Sequence, residues 1–382
     1  MARYLFLTWN GAGNQPPAVA LAQNLESRGH HVTFAGYENQ RAYFTGRGFR
    51  FVLMEGAAAA WRDDAPDRIF AIKMQTAWAS LDHLEDVPRL ISRERPDALV
   101  VDCMMFGALA AAENANLSTF VLVHSAPGAL MPPNGEFELR FREPVNTVRR
   151  KAALPRLANM WDAWVPFPAL CNSIRELDPL SAQVPGSVIY FGPFLEETST
   201  PRWTAPWALQ GRPLVLVSFS TGPYWDQRSR IERTLKALAQ QDCHVLVTAG
   251  SVDSATLKIP DNAMIVRHTP HAAVLPQTAL TITHAGHGTV VASLKHGVPL
   301  LCLPNNVADQ PILARQLASL GAGLTLDGDN ATRQEISAAV HQLLGNDSYA
   351  ASARRLGAIM SAAPGMPAAI QLLEQMAGSF AA

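Results

Sequence analysis

Short apolar runs bounded by turn residues recur along this chain, with helically spaced apolar positions between them. Residues 4–8 form the first run and end in Trp-Asn-Gly-Ala-Gly-Asn-Gln-Pro-Pro, a punctuated turn. Pro17 suits the first turn of a helix that carries Val19, Ala22 and Leu25 on one face. Residues 31–35 and 49–53 read as the second and third strands. A helical region with Trp61, Phe70, Met74, Trp78 and Leu81 follows, between 57 and 93. Residues 98–102 and 119–124 are strands four and five, separated by an alanine-rich helix. Strands alternating with helices over this length predict a parallel, doubly wound sheet. Residues 131–164, rich in Pro, Arg and aromatics, show no clean period and read as a loop with one or two helices.

The pattern then restarts. Pro and small polar residues cluster between 191 and 206, as in an interdomain linker. Strands follow at 214–219, 244–249, 280–283 and 298–303, with a short one at Leu324. Helices carry Ile231, Leu235 and Leu238, then Val290, Val291 and Leu294, then residues 313–320 and 333–344. GHHVTFAG at 29–36 and CHVLVTAG at 243–250 each close a strand-turn-helix of similar length. Two α/β domains in tandem result, not a short-period solenoid. The expected boundaries are 1–200 and 201–360. A closing amphipathic helix, 361–382, carries Ile370, Leu372 and Met376 after the Pro364-Gly365 break.

Composition narrows this picture. At 382 residues the chain exceeds one ordinary core, and 48% hydrophobic against 16% charged residues describes a globular protein with large buried sheets. A net charge of -1, without runs of like charge, gives no nucleic-acid footprint. Cys103, Cys171, Cys243 and Cys302 are widely spaced, and Cys103 and Cys302 lie in or beside apolar runs, as buried thiols in a reducing compartment would. The first apolar run falls short of a signal peptide or membrane span. A cytoplasmic protein is expected, with no membrane span and with a homodimer as one candidate assembly.

Chemistry concentrates at 268–310. The strand at 280–283 ends in His284-Ala-Gly-His-Gly-Thr, then a helix, then another strand. Such a turn puts unpaired backbone N–H groups at a helix N-terminus, a ready anion site. His284 and Thr289 stand where they could add side-chain donors, and a diphosphate is the ligand this arrangement suggests. His268-x-x-His271 and His284-x-x-His287 have metal-ligand spacing, but no Cys or carboxylate lies nearby in sequence, so no metal is expected. Gly11-Ala-Gly13 half-matches a dinucleotide fingerprint, with Pro where the third glycine belongs. A nicotinamide dehydrogenase is the weaker competitor.

The 268–310 stretch resembles the donor-binding signature of the UDP-glycosyltransferase-like family, small-molecule glycosyltransferases with the GT-B fold. The matching positions are His268, Pro270, His271, His284, Gly286, Thr289, Ala292, Gly297 to Pro299, Asp309 and Gln310. Three depart from the pattern: His268 for a base-stacking aromatic, His271 for Gln, and Ala292 for a ribose-binding Glu. The resemblance implies that His284 and Thr289 hold the diphosphate, and that Asp309 and Gln310 hold sugar hydroxyls. Ser220, Thr221, Gly286, His287 and Gly288 complete the expected donor site, His287 through its backbone. The implied architecture is α/β, two Rossmann-like doubly wound domains facing across a cleft. The implied activity is inverting, metal-independent sugar transfer from a UDP- or TDP-sugar to a hydroxyl or amine of a small apolar acceptor. The nucleotide sugar is a co-substrate, so no cofactor is expected. Ala292 cannot accept bonds from two ribose hydroxyls, which tilts the expectation toward TDP. Phe70, Met74, Trp78 and Met105 are the acceptor-lining candidates, with ordinary core as the competing reading.

The general base is the difficulty. The family's first loop reads Gly-His-x-x-Pro with His as base, and Asn14 stands at that position. A neutral amide cannot take the proton, and Asn14 is also a good helix N-cap. The family's orienting Asp matches Asp102. In a sheet of order 3-2-1-4-5, strands four and five are neighbours, about 4.8 Å apart. His124, ending the fifth, can then pair with Asp102, ending the fourth. A buried structural histidine is the competing reading for His124, and Asp102 alone is the third candidate base. A nucleotide-sugar epimerase and a non-catalytic binding homologue are the functional alternatives.

Overall fold

The computed structural model describes residues 1–61, 70–196, 203–206, 211–219, 227–306 and 309–379, excluding the side chains of 70–73 and 379. The first sheet holds seven parallel strands: β1 (Arg3–Leu7), β2 (His31–Gly36), β3 (Arg50–Leu53), β4 (Ala98–Asp102), β5 (Ser118–Val123), β6 (Ala169–Cys171) and β7 (Val188–Tyr190). Their order is β3-β2-β1-β4-β5-β6-β7. The second holds six: β8 (Leu214–Ser218), β9 (His244–Thr248), β10 (Ala263–Val266), β11 (Thr278–Thr283), β12 (Leu300–Cys302) and β13 (Gly323–Thr325). Their order is β10-β9-β8-β11-β12-β13, again all parallel.

Both faces of the first sheet are buried, so its strands read as continuous apolar runs that divide between two cores by alternation. Leu5 and Leu7 of β1 join Leu99, Val101, Val121 and Val123 on one face. Tyr4 and Phe6 join Phe34, Val100, Phe120 and Leu122 on the other. The second sheet repeats the arrangement, with Val215, Val217, Val245 and Val247 opposite Leu214, Leu216 and Leu246.

The chain divides into two compact units. One comprises Met1–Arg175, Leu180–Glu196 and Ala363–Ala382; the other comprises Glu176–Pro179 and Glu197–Ala362. The C-terminal helix Gly365–Ser379 therefore belongs with the N-terminal sheet. Ala369, Ile370, Leu373 and Ala377, at helical spacing, bury into the core beside Tyr4 and Phe6. By length and composition the run Asp347–Gly378 could cross a membrane. It is two helices, however, Asp347–Ala362 and Gly365–Ser379, parted at Ala363-Pro364. Each buries apolar side chains in the core of its own unit.

Several elements escaped the sequence pattern. β6 and β7 are three residues each, too short to show a period. β10 is half-buried along its length. The irregular-looking middle, expected to hold one or two helices without bounds, contains a long one, Glu136–Lys151, whose interior Pro144 and many charges mask its buried stripe of Phe141, Val145 and Val148. All four cysteines are free and buried.

Candidate active site

In the order above, β1 and β4 are neighbours from which the chain departs toward opposite ends of the sheet. Their carboxyl ends therefore flank the crevice where doubly wound sheets place ligands. Asp102 is the last residue of β4, and its side chain is 3% exposed. Oδ1 accepts hydrogen bonds from the Trp9 indole Nε1 (3.0 Å) and the Met104 backbone N–H (3.0 Å). Oδ2 accepts from Asn14 Nδ2 (3.1 Å) and His124 Nδ1 (2.9 Å). Burying a carboxylate is costly unless its lone pairs are bonded, and here each oxygen has two donors.

His124 follows β5, whose Leu122 lies opposite Asp102 in the parallel register. With Nδ1–H donated to Asp102, Nε2 is the ring nitrogen left to exchange a proton. Burial opposes the imidazolium, but the Asp102 carboxylate outweighs it, and the His124 pKa stands well above its ordinary value. Cys103 Sγ lies 3.6 Å from His124 Nδ1, and its thiol pKa is raised chiefly by burial. Asp102, Cys103 and His124 offer three metal-binding atoms within 4.8 Å of one another, a cluster the sequence spacing did not reveal. The four N–H donors on Asp102 leave no lone pair for an ion without rearrangement, so the geometry is that of a hydrogen-bonded acid–base pair.

Asn14 does not cap the helix Gln15–Ser27, although it occupies the N-cap position. Its Oδ1 instead accepts from Gly11 N (3.1 Å), and its Nδ2 reaches Trp9 O (3.0 Å) as well as Asp102. The capping expectation fails because Pro16 and Pro17, at the second and third helical positions, have no N–H for the Asn14 oxygen to accept, and Gly11 N takes that oxygen instead. Among the acceptor-lining candidates, Met74, Trp78 and Met105 all lie in the first unit's core. Trp78 packs edge-on against Trp9 (5.7 Å) and against Phe141 (4.7 Å), so an aromatic wall runs directly to the Asp102 partner Trp9. The Phe70 side chain lies outside the described residues.

In the second unit, His284 follows β11 and precedes the helix His287–Lys295, whose N-cap Gly286 offers no side chain. The imidazole lies over Gly286: a Cβ there would stand 2.5 Å from His284 Nε2, so any larger residue would push the ring aside. Ala285, with φ 64, takes the left-handed conformation that makes the sharp turn. Burial, then the charge of Arg230, push the His284 pKa down to about 4, with an opposing hydrogen bond to the Ser218 backbone. Gly288 is exposed and Thr289 half-buried, while His287 is buried. His271 opens a short helix after its N-cap Pro270, and its Nε2 pairs with Ser218 Oγ (3.1 Å), which accepts from Thr248 Oγ1 (2.8 Å). Burial, then His268, lower the His271 pKa to about 4. His268 itself is exposed. Asp309 is the N-cap of Gln310–Ser319, and Gln310 is buried. Ser220 and Thr221 lie outside the described residues.

Sequence reasoning missed Trp9 and Arg230. Arg230 was visible in principle, since Gln227, Arg230, Ile231, Thr234 and Leu238 share one stripe of the helix Gln227–Leu238. A charge on a core-facing stripe needs partners, and that was the signal.

Residues 232–376 match the family described as "Erythromycin biosynthesis protein CIII-like, C-terminal domain". The chain is 36% identical to aclacinomycin-T 2-deoxy-L-fucose transferase of Streptomyces galilaeus, over 39% of this chain and 34% of that one, so that match spans about a third of the relative. It is 27% identical to 4'-demethylrebeccamycin synthase of Lentzea aerocolonigenes, over 98% of this chain and 99% of that one. Among solved structures, the glycotransferase of kitacinnamycin superposes with TM-score 0.81 at 22% identity, covering 98% of this chain and 99% of that one. Spinosyn rhamnosyltransferase SpnG complexed with thymidine diphosphate gives 0.73 at 21% identity, covering 97% and 100%. The fold is GT-B, and the sequence relatives are glycosyltransferases.

Proposed function

We propose that this GT-B homologue of natural-product glycosyltransferases is itself an inverting glycosyltransferase. It moves a sugar from a nucleoside-diphosphate sugar to a hydroxyl or amine of a small apolar acceptor. The observation that carries the reading is the His124–Asp102 pair, 2.9 Å apart at the carboxyl edge of the first sheet. Nε2 takes the acceptor's proton as its oxygen or nitrogen attacks the anomeric carbon. The bond from that carbon to the diphosphate breaks on the opposite face, which inverts the configuration. Asp102 fixes the imidazole tautomer and stabilises the imidazolium, as in other His–Asp pairs. Asn14 is then a positioning group for Asp102, holding the carboxylate and the Gly11 turn in register.

The second unit supplies the leaving-group site. The uncapped start of the helix His287–Lys295 offers N–H groups and a helix dipole to the diphosphate, and His284 and Thr289 add side-chain contacts. No step requires a metal. TDP is favoured over UDP because Ala292 gives a ribose 2′-hydroxyl nothing to bond; it packs instead against the apolar cluster of Leu214, Leu216 and Val298. The match to a thymidine diphosphate complex is consistent with that choice. Relatives named as transferases argue against an epimerase. The test is incubation with a panel of TDP- and UDP-sugars and aromatic acceptors, read by mass for transfer or hydrolysis. Binding of the sugar nucleotides without either product would leave a non-catalytic homologue.

A further inference from the structure

Arg230, 3% exposed, is a buried cation that the mechanism above does not use. Its Nη1 donates to Asn305 Oδ1 (2.6 Å), its Nη2 to Asp329 Oδ1 (2.8 Å) and its Nε to Gly328 O (3.1 Å). Asn305 in turn donates to Gln310 Oε1 from its backbone N (3.1 Å) and from Nδ2 (2.8 Å). Asn305, Gln310 and Gln227 are all buried. The Pro304 carbonyl sits where a Cβ on Gly328 would be, so the 304–306 segment lies flat on the turn that anchors Arg230.

The polarity of this relay is fixed by chemistry. A guanidinium only donates, so the Asn305 side chain must turn its oxygen to Arg230 and its amide N–H to Gln310. The Asn305 backbone N–H, also only a donor, imposes the same sense. Gln310 must therefore spend its oxygen inward, which leaves its Nε2 amino group for a ligand.

We infer that Arg230 is a positioning residue which, through Asn305, locks the Gln310 amide as a donor, so that the sugar must present an oxygen acceptor there. The inference rests on the donor-site reading above. Arg230 acts through Asn305 and not on the sugar: its side chain is 3% exposed, and its Nε, Nη1 and Nη2 each donate within the protein.

The test is calorimetry with TDP and UDP, and with TDP-glucose, TDP-rhamnose and UDP-glucose. The measured quantity is the gain in affinity that a sugar adds to its free diphosphate. Asn305→Asp keeps an oxygen for Arg230 but replaces the side-chain N–H on Gln310 Oε1 with a carboxylate oxygen. That carboxylate repels Oε1 and draws the Gln310 amino group inward against the remaining backbone N–H. Gln310→Met removes the donor itself. Each should abolish a sugar gain of about tenfold, the worth of one hydrogen bond, and the double variant should be no worse. The charge added by Asn305→Asp weakens the free diphosphate at least as much as the sugar nucleotide, so that charge cannot by itself lower the gain. Arg230→Met should match them if it folds; Asn305→Asp, which retains the Arg230 pair, decides if it does not. An unchanged gain in Asn305→Asp overturns the inference. So does the absence of any gain in the unaltered protein that nonetheless binds TDP. Failure of the unaltered protein to bind either diphosphate would instead overturn the donor-site reading, and the inference with it.

Discussion

Two strand-to-helix turns, one in each unit, share a backbone device and differ in what their helices offer. After β1 the chain turns through Ala12 (φ 59) into the helix Gln15–Ser27; after β11 it turns through Ala285 (φ 64) into His287–Lys295. Both turns sit at the carboxyl edge of a parallel sheet, beside the central strands. In the first, Pro16 and Pro17 remove two of the N–H groups that a helix start would present, and Asn14 bonds back to Gly11 and across to Asp102. In the second, His287-Gly288-Thr289 retains every N–H, and Gly286 caps nothing. One turn is wired to the Asp102 carboxylate, and the other keeps the backbone donors that the proposed diphosphate clamp requires. A shared fold, then, does not assign chemistry; what the first helical turn donates does.

The largest effect should come from removing the base of the first region. His124→Ala should lower transfer by about 10²–10⁴-fold, the range of general-base catalysis, while TDP affinity stays unchanged. Asp102→Asn should follow it, and the double variant should be little worse than His124→Ala, since the two act as one unit. Silent His124→Ala with a dead Asn14→Ala would move the essential role to the first turn.

The comparison can be broken directly at the second turn. Gly288→Pro copies the first turn's missing N–H at a position where the helix tolerates proline and where a Cβ meets nothing within 4 Å. TDP affinity should fall by about tenfold with the fold intact. His284→Ala should cost about 1.5–3 kcal/mol of TDP binding, the worth of a hydrogen bond to a charged group. Calorimetry reads both. If Gly288→Pro binds TDP normally, the helix N-terminus is not the clamp.

A pH profile sharpens the contrast between the histidines. His284, held down to about 4, stays neutral from pH 5 upward. His124 is raised, so its stabilising pair with Asp102 is fully present below its unfolded pKa of about 6.5 and is lost as pH rises through the higher folded value. Over that same upper window the unprotonated base accumulates. Transfer should therefore climb with pH while thermal stability, measured against His124→Gln, declines. A transfer rate that falls across this window would remove His124 as base. The smallest effect concerns the shared strain: Ala285→Gly should relieve a left-handed alanine at the expense of unfolded-state entropy, raising stability by at most about 1 kcal/mol. A clear loss of stability on thermal melting would show that the Ala285 methyl, fully buried, matters more for packing than its φ costs.

Much of this was legible in the chain itself. Continuous apolar runs marked the long strands because both sheet faces are buried. The restart after residue 206 indicated a second sheet, and the glycines after His284 announced a turn into a helix start. Periodicity reports only an element's own buried face, which is why three-residue β6 and β7 passed unseen and why the charged, proline-containing helix Glu136–Lys151 was expected somewhere in 131–164 but not bounded. The partners of buried polar groups were a different matter. That Asn14 does not cap its helix was legible in Pro16 and Pro17, which lack the N–H groups a cap would bind, but only the arrival of Asp102 from 88 positions away decides where its amino group goes. Asp102 and His124 could be paired from strand order, but Trp9, whose indole completes the carboxylate, could not. Arg230 reaches Asn305 across 75 positions, and that contact sets which end of Gln310 faces a ligand. Local sequence determines strands, turns and helix ends because their hydrogen bonds and steric limits lie within a few residues. The direction of each buried polar side chain belongs to the tertiary structure, because a buried donor or acceptor must be satisfied by whichever element packing brings within about 3 Å.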